Sequence, residues 1–284
     1  MKTFNSNTVQ QSRYPFTFAY LLRSLYKNRY LILQISKREI LGKYKGSLLG
    51  LAWSFFNPLF MLVIYTFVFS VIFKSRWGNI GEDTGKVQFS IILFVGMIVV
   101  GFFNEVLNRS PSVILSNINL VKKVIFPLEI LPLIPIGAAL FHSLISILVL
   151  LIFFMIIKGF IYWTVIFFPL VFFPLLVVVL GLSWILSSVG TYLRDIAQVT
   201  SLTTTILMFI SPIFYPITAV PERFRPFIML NPVTFIIEQS RNVLIFGILP
   251  DWKGLCIYAL LAIIIAWIGF FWFQNTREGF ADVL

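Results

Sequence analysis

Long uncharged, apolar stretches alternate with short polar or charged connections along most of this chain. Six stretches lack Asp, Glu, Lys and Arg and are rich in Leu, Ile, Val and Phe. A helix needs about 20 apolar residues to cross a bilayer, so the pattern predicts an all-α integral membrane fold with six transmembrane helices. The predicted spans, in chain order, cover about 47–73, 87–105, 130–157, 165–190, 196–216 and 254–275.

A helical pattern of a different kind precedes the first span, over residues 16–36. At a helical turn of about 100° per residue, its apolar side chains share one broad face, with Arg23 and Lys27 opposite. That face contains Phe18, Leu21, Leu22, Leu25, Tyr26, Ile32 and Leu33. Such an amphipathic helix lies along a membrane surface or packs on a partner protein. We therefore divide the chain into 1–36, a cytoplasmic tail with an amphipathic interface helix, and 37–284, the transmembrane domain.

A basic segment leads into the first span, and small residues recur four positions apart through it. The basic residues are Lys37, Arg38, Lys43 and Lys45, and the small residues are Gly42, Gly46, Gly50 and Ser54. Small residues on one helical ridge allow another helix to approach closely, so we expect a helix contact here.

The connection between the second and third spans, about 106–126, contains a second helix signal. Ser110 followed by Pro111 is a capping hydroxyl followed by proline at the first helical position. The short helix predicted to follow carries Val113, Ile114, Ile118 and Val121 near the cytoplasmic surface. Its exposed apolar side chains need a groove in a partner, unless the segment is only a linker.

The connection after the fifth span, about 217–247, is predicted to form outer re-entrant helices. Five prolines between positions 212 and 232 prevent a continuous helix. Asn231 and Pro232 begin a new helix that Gly247 ends, and its 15 or so residues are too few to span a bilayer. Glu238 and Arg241 are three residues apart on it and can form an ion pair, either at a functional site or as a structural contact.

Composition and charge agree with a membrane protein. Of the 284 residues 59% are hydrophobic and 12% charged, and the mean hydropathy is +0.94. The net charge of +11 comes from basic residues beside the apolar stretches, so membrane topology accounts for it better than nucleic-acid binding does. With both termini inside, the inner segments hold fourteen Lys and Arg and the outer segments eight. The positive-inside rule therefore predicts cytoplasmic termini.

Catalytic chemistry has no clear candidate in this sequence. The closest approach to a nucleotide-binding loop, 81–87, has one residue too few between its glycines and Val87 in place of Ser or Thr. The only histidine, His142, lies in the third span without a second ligand nearby, so we expect it to be hydrogen-bonded within the bundle. The only cysteine, Cys256, lies in the sixth span. We predict no enzyme activity, metal or cofactor on this chain, and any uphill transport then needs an external source of energy.

Three motifs, in this order along the chain, resemble the permease subunit of ABC-2 type exporters, and within it the polysaccharide branch. They are Gly42 to Trp53 (GKYKGSLLGLAW), Asn119 to Pro127 (NLVKKVIFP), and Ser211 to Pro216 (SPIFYP) with Leu230-Asn231-Pro232. That branch exports O-antigen, capsule or teichoic acid chains. The resemblance covers about residues 14–275.

The resemblance implies partners and site residues. It implies a homodimer bound to two copies of a separate ATPase subunit, which holds ATP and Mg²⁺, in a bacterial cell (inner) membrane. The cargo it implies is a polysaccharide on an undecaprenyl-diphosphate lipid. The 106–126 segment would be the coupling helix that docks in the ATPase, with contacts from Val113, Ile114, Ile118, Val121, Lys122 and Lys123. The cationic side chains Lys37, Arg38, Lys43 and Lys45 stand where the lipid diphosphate would lie, although ordinary attraction to anionic lipid also accounts for them.

Aromatic side chains at two places suit a sugar path, because ring faces stack on the apolar sides of pyranoses. Trp53, Phe56 and Phe60 recur at helical spacing on the first span, and Phe209, Phe214 and Tyr215 stand at the outer end of the fifth. Phe172 in the fourth span is expected to face lipid instead. An ABC-2 exporter of a drug or other small hydrophobic compound remains the alternative. A secondary transporter or channel is disfavoured, because the spans contain almost no ionisable residues for ion coupling.

Overall fold

The structure is a computed structural model that describes residues 18–72, 85–122 and 126–284. All regular structure in these ranges is helical, which confirms the all-α fold class. The α-helices are α1 Phe18–Lys27, α2 Arg29–Tyr44, α3 Trp53–Tyr65, α4 Gly85–Arg109, α5 Ile118–Lys122, α6 Leu133–Lys158, α7 Phe168–Tyr192, α8 Ile196–Ile210, α9 Arg225–Met229, α10 Thr234–Arg241, α11 Trp252–Thr276 and α12 Phe280–Val283. Shorter 3₁₀ and π-helical segments join them, including a π-helical continuation of α3 over Thr66–Ile72.

Five helical segments of the described chain are long and apolar enough to cross a membrane. They run over Gly50–Phe69, Phe89–Ser112, Leu128–Lys158, Trp163–Tyr192 and Trp252–Val283. The fifth predicted span is shorter, because α8 contains 15 residues and its helix ends at Ser211 before Pro212. The structure thus supports five of the six predicted spans by length, and the span predicted over 196–216 stays a prediction.

Helix α4 lies at the centre of the bundle and contacts α3, α6, α7, α8 and α10. Apolar side chains cover it on nearly every side, with Ile92, Leu93, Val99 and Val106 fully buried. Asn108 on α4 accepts a hydrogen bond of 3.0 Å from Thr204 on α8. The two helices are therefore fixed side by side.

The tightest helix pair joins α7 and α11. A Cβ atom added to Gly269 would overlap the carbonyl oxygen of Gly181, and one added to Gly181 would lie 2.6 Å from the Ile265 carbonyl oxygen. Next to this contact the fully buried Trp184 packs edge-on against Phe270, with ring centroids 5.3 Å apart. Close approach of the two backbones thus depends on glycine on both helices.

The amphipathic N-terminal segment forms two helices that bend at Asn28 and pack on the bundle. Leu21 is buried, and Ser24 donates a 2.9 Å hydrogen bond to the buried Glu129, which also pairs with Arg277. Tyr26 and Leu33, placed on the apolar face by the sequence pattern, are exposed. Helix α2 also continues past the expected domain boundary at residue 36 to Tyr44.

The expected ridge of small residues is wrong, because the chain is not helical there. Helix α2 ends at Tyr44, and Gly46 and Gly50 follow with φ angles of +85° and +52°. Residues with a Cβ atom rarely adopt these left-handed backbone angles. The two glycines therefore allow the chain to turn between α2 and α3. Apart from the adjacent residues, no atom of the described chain lies within 4 Å of a Cβ built on either glycine, so neither glycine is at a close helix contact.

A helix is present after Asn231, as the sequence predicts, although it starts at Thr234 instead of Pro232; its re-entrant placement stays a prediction. The Asn231 side chain accepts from the Val233 amide at 3.2 Å, α10 and a π-helical turn run from Thr234 to Phe246, and Gly247 ends them with φ +67°. A Cβ on Gly247 would also lie 2.5 Å from the Tyr162 ring, so glycine is required for space as well as for conformation.

Candidate functional site

A chain of polar side chains joins three helices at the end of the bundle where α2 finishes. His142 on α6 lies 2.9 and 3.0 Å from the two carboxylate oxygens of Glu105 on α4. Its other ring nitrogen lies 3.1 Å from the Tyr44 hydroxyl on α2. When Nδ1–H of neutral His142 donates to Glu105, Nε2 accepts from Tyr44. The expectation that His142 is hydrogen-bonded within the bundle is thereby confirmed.

Further charges balance this cluster. Lys43 pairs with Glu105 at 3.4 Å, and Arg109 contacts both Glu105, at 3.8 Å, and Glu39. Burial and then the Glu105 carboxylate raise the pKa of the Tyr44 hydroxyl, so this group stays protonated as a donor. The sequence alone did not reveal this cluster. Its only visible signals were a carboxylate at the end of one apolar stretch and a lone histidine within another.

A cavity of about 310 Å³ opens beside the cluster, between α2, α3, α4 and α6. Glu105, His142, Lys43 and Tyr44 form one wall. The remaining polar lining consists of Ser54, Asn57, Tyr65, Ser143 and Ser146, and the apolar lining includes Met61, Met97 and Phe102. The site is therefore amphipathic, and carboxylate, amide and hydroxyl groups stand beside apolar surface.

A second, basic groove of about 610 Å³ lies on another face of α2. It is lined by Lys37, Arg38 and Lys45, all exposed, together with Gln34, Leu41 and Gly42. None of the three cations pairs with a carboxylate among the described residues. Of the four cations predicted to act together, the structure thus groups three and assigns Lys43 to the Glu105 cluster.

The predicted coupling segment divides into a buried and an exposed part. Residues 110–117 form 3₁₀ turns and Ile118–Lys122 forms α5, so the continuous helix expected over this segment is wrong. Val113 and Ile114 are buried within this chain because Ser110 and Pro111 hold the segment against α7.

The exposure of Val113 and Ile114 to a partner groove is therefore a second wrong expectation. Ile118 and Lys122 are exposed and Val121 is half-buried, whereas Lys123 lies outside the described residues.

The predicted sugar-path aromatics also divide. Trp53, Phe60 and Phe209 are exposed, and the half-buried Phe56 stacks on Phe60 with ring centroids 6.1 Å apart. The other two are engaged within the chain, since Phe214 stacks on Phe69 at 6.1 Å and the Tyr215 hydroxyl donates to the Ile210 carbonyl at 2.6 Å.

The expectation that Phe172 faces lipid is wrong. It is buried between Phe102 and Phe168, with ring centroids 4.9 and 5.3 Å away. The neighbouring Phe173 is 59% exposed and is the outward-facing phenylalanine of this helix.

Glu238 and Arg241 form the ion pair that their spacing predicts, at 2.8 Å. Arg241 is fully buried and also donates to the carbonyls of Ile92, at 3.2 Å, and Ile213, at 3.1 Å. It therefore fastens α10 to the central helix and to the turn after α8. These contacts favour the structural alternative for the pair.

Metal-binding geometry does not occur in the described ranges, where no group of three His, Cys, Asp or Glu residues could hold an ion. The single cysteine, Cys256, is exposed on α11.

Comparison with known proteins gives one family match and several relatives. The family model for the ABC-2 type transporter matches residues 30–245. The O-antigen export system permease protein RfbA of Myxococcus xanthus is 27% identical over 264 residues, or 92% of this chain and 98% of that protein. A Klebsiella pneumoniae protein of the same name is 26% identical over 256 residues, or 89% of this chain and 95% of that protein. The polysialic acid transport protein KpsM of Escherichia coli is 23% identical over 242 residues, or 85% of this chain and 91% of that protein.

Proposed function

The chain belongs to the ABC-2 type transporter family, and from this premise we propose that it is the membrane-spanning permease subunit of an ATP-driven polysaccharide exporter. Its cargo is a lipid-linked chain of the O-antigen, capsule or teichoic acid kind, carried from the cytoplasm across the cell inner membrane. The observation that carries the proposal is end-to-end similarity to permease proteins named for O-antigen export, over 92% and 89% of this chain. The multi-pass helical fold is the fold such a subunit requires.

The assembly we propose is a homodimer with two copies of a separate ATPase subunit, which holds ATP and Mg²⁺. Two apolar surfaces support the dimer. Most of α3 is uncovered by the rest of the chain, and α8 presents an exposed stripe that includes Leu202, Ile206 and Phe209. In a membrane such surfaces face either lipid or another subunit. Transport energy comes from the ATPase, so this chain acts as a translocation path and not as an enzyme by itself.

The coupling contact we propose is smaller than the sequence predicted. Ile118 and Lys122 on α5, with the half-buried Val121, form its exposed part. Residues 110–114 stand behind it, packed on α7 by the hydrogen bond of 2.8 Å between Ser110 and Ser183. A displacement of α5 would therefore also move α7. We expect nucleotide binding by the ATPase to change the conformation of the membrane domain in this way.

Loading occurs, in this proposal, at the basic groove on α2. Lys37, Arg38 and Lys45 stand together without carboxylate partners in the described chain, so their charge is available to a lipid diphosphate. Both termini are cytoplasmic, since the basic segments concentrate at that end. The exposed Trp53, Phe60 and Phe209 then offer ring faces along the sugar path between the two copies.

The test is deletion of the gene and its replacement by plasmid copies. We expect the deletion to abolish surface polysaccharide while lipid-linked chains accumulate in the cytoplasm, and the wild-type copy to restore export. The triple change Lys37→Gln, Arg38→Gln and Lys45→Gln should restore it only in part, whereas the matched change Lys253→Gln on α11 should restore it fully. Normal surface polysaccharide in the deletion strain, together with hypersensitivity to a hydrophobic drug, would contradict the proposal and favour a drug exporter.

A further inference from the structure

We propose that the cavity between α2, α3, α4 and α6 binds an uncharged sugar unit of the exported chain. The inference rests on the proposed function and adds a recognition site within each copy, separate from the exposed aromatic surface. Three properties of the cavity support it, namely its unused hydrogen-bonding groups, its charge balance and its size.

Several polar groups that face the cavity have hydrogen-bonding capacity left. The side chains of Asn57, Tyr65 and Ser143 make no hydrogen bond to other residues of the described chain. Burial of such groups beside a purely apolar ligand is unfavourable, because their hydrogen bonds to water are lost without replacement. A ligand rich in hydroxyl groups satisfies them, since each hydroxyl both donates and accepts. The adjacent apolar surface of Met61, Met97 and other residues suits the C–H face of a sugar ring.

The charges around the cavity disfavour an ionic ligand. The Glu105 carboxylate is held by Lys43 at 3.4 Å and by His142 at 2.9 Å, and Arg109 is held by Glu39. An anionic group such as a diphosphate or an acidic sugar would meet the Glu105 carboxylate, while the Lys43 charge is already paired. A cation would compete with Lys43 for the same oxygens. An uncharged sugar accepts and donates hydrogen bonds here without disturbing the pairs.

The volume limits the ligand to a small part of the chain. Small-molecule pockets enclose roughly 300–1,000 Å³, and this cavity of about 310 Å³ stands at the lower end. It therefore suits one or two sugar rings and not an extended run of the polymer. Such a site distinguishes the cargo from sugar-free lipid diphosphate, which the basic groove alone would also hold.

Photo-crosslinking with a diazirine analogue of methionine tests this directly. The chain contains six methionines, of which Met61 and Met97 line the cavity. Met155 and Met229 are 54% and 51% exposed, against 44% for Met61, and they lie outside it, so they serve as matched controls. The permease–ATPase complex carrying the analogue is illuminated with exported polysaccharide that mild acid has released from its lipid. Mass spectrometry then locates sugar adducts by peptide.

We expect adducts at Met61 and Met97 and none above background at Met155 and Met229. Asn57→Leu should lower the Met61 adduct about three- to tenfold, the effect of losing one or two hydrogen bonds. Phe55→Leu, on the same helix but outside the lining, should not. Co-purification of the ATPase verifies that each variant is folded.

Two results would overturn the inference. One is equal adduct yield at Met61, Met155 and Met229, or no adduct at Met61. The other is the same Met61 adduct from lipid diphosphate that carries no sugar, because the cavity would then bind the headgroup. Neither result touches the proposed function, which depends on surface polysaccharide in the deletion strain. If export is intact and no sugar adduct forms at Met61, the sugar site in the cavity is rejected and the proposed function is not.

Discussion

Two consecutive apolar segments, one containing α3 and the other α4, differ strongly in how far the rest of the chain buries them. Of the most apolar part of each segment, 78% is buried for α4 and only 11% for α3. Mean hydropathy, 1.7 for the α3 segment and 2.2 for the α4 segment, does not account for this difference, because the Leu128–Lys158 segment has a mean hydropathy of 2.8 and is only 28% buried. Lipid and protein interior are both apolar surroundings for a helix. What separates the two segments is the set of neighbours, and α4 contacts five other α-helices. Burial inside a membrane domain therefore depends on packing partners and not on hydrophobicity.

The polar contacts follow the same division. Arg241 and Thr204 from other helices bond to α4, whereas the buried side chains of α3 are only Ser54 and Leu62. We infer that α4 and its partners maintain the fold, while the uncovered face of α3 is reserved for lipid, a second copy or cargo. Substitutions around α4 should then reduce folding, and substitutions on α3 should reduce transport without reducing folding.

Arg241→Leu should have the largest effect. Glu238 is 29% exposed and can be solvated, so the cost comes mainly from the buried Ile92 and Ile213 carbonyls that lose their donor, at about 1–3 kcal/mol each. We expect little folded protein in the membrane. The detergent-purified chain should also have a lower melting temperature than wild type. Arg223→Leu changes an exposed cation whose guanidinium lies over the Phe224 ring, so it is the control and should leave melting near wild type. Similar melting of both variants would refute the anchoring role.

Gly269→Ala comes next and tests the α7–α11 contact. The added methyl group overlaps the Gly181 carbonyl, and overpacking of this kind costs about 1–3 kcal/mol. Gly101→Ala, on α4, is the matched change, since no atom outside the neighbouring helix backbone lies within 4 Å of its Cβ position. Unfolding in the same denaturant series should separate the two variants. A loss of stability in Gly101→Ala as large as that in Gly269→Ala would contradict the close contact between Gly269 and Gly181.

The coupling segment repeats the comparison on a smaller scale. Val113→Asp places a carboxylate in a buried position and should prevent folding. Ile118→Asp places it on an exposed one, so the permease should insert normally and lose its ATPase on co-purification. Retention of the ATPase by Ile118→Asp at normal permease levels would exclude α5 from the coupling contact.

The exposed aromatics should give the smallest effect on folding and a clear effect on transport. Trp53→Ala and Phe60→Ala remove ring faces from the uncovered side of α3, so we expect unchanged melting and several-fold less surface polysaccharide per cell. Phe173→Leu, which alters an exposed ring on α7, should be silent in both assays. Equal export by all three variants would remove these rings from the proposed sugar path.

Local features of the fold were predictable from sequence because they depend on neighbouring residues. The helix that begins after Asn231 and ends at Gly247, and the pair of Glu238 with Arg241, needed only capping, glycine conformation and helical spacing. The apolar stretches likewise predicted six membrane spans, and five helical segments of the described chain are long and apolar enough to cross a membrane.

Features that depend on distant contacts were not predictable. Tyr44 and His142 are 98 residues apart in the chain, and His142 and Glu105 are 37 apart, so no local pattern joins them. Phe172 and Phe173 look alike in sequence, but Phe172 packs against Phe102 of a distant helix and is buried, whereas Phe173 is exposed. Gly46 and Gly50 are four residues apart, as on a helical ridge, but their positive φ angles belong to a turn.

The central claim, ATP-driven passage of a lipid-linked polysaccharide through this chain, can be measured in vesicles. The purified permease and ATPase are reconstituted with lipid-linked polysaccharide, and an impermeant lectin reports sugar that reaches the side of the membrane opposite the ATPase. We predict that exposure of sugar requires ATP and both subunits and that it falls with the Trp53→Ala permease. Exposure that proceeds equally without ATP, or that does not increase when this chain is present, would contradict the account.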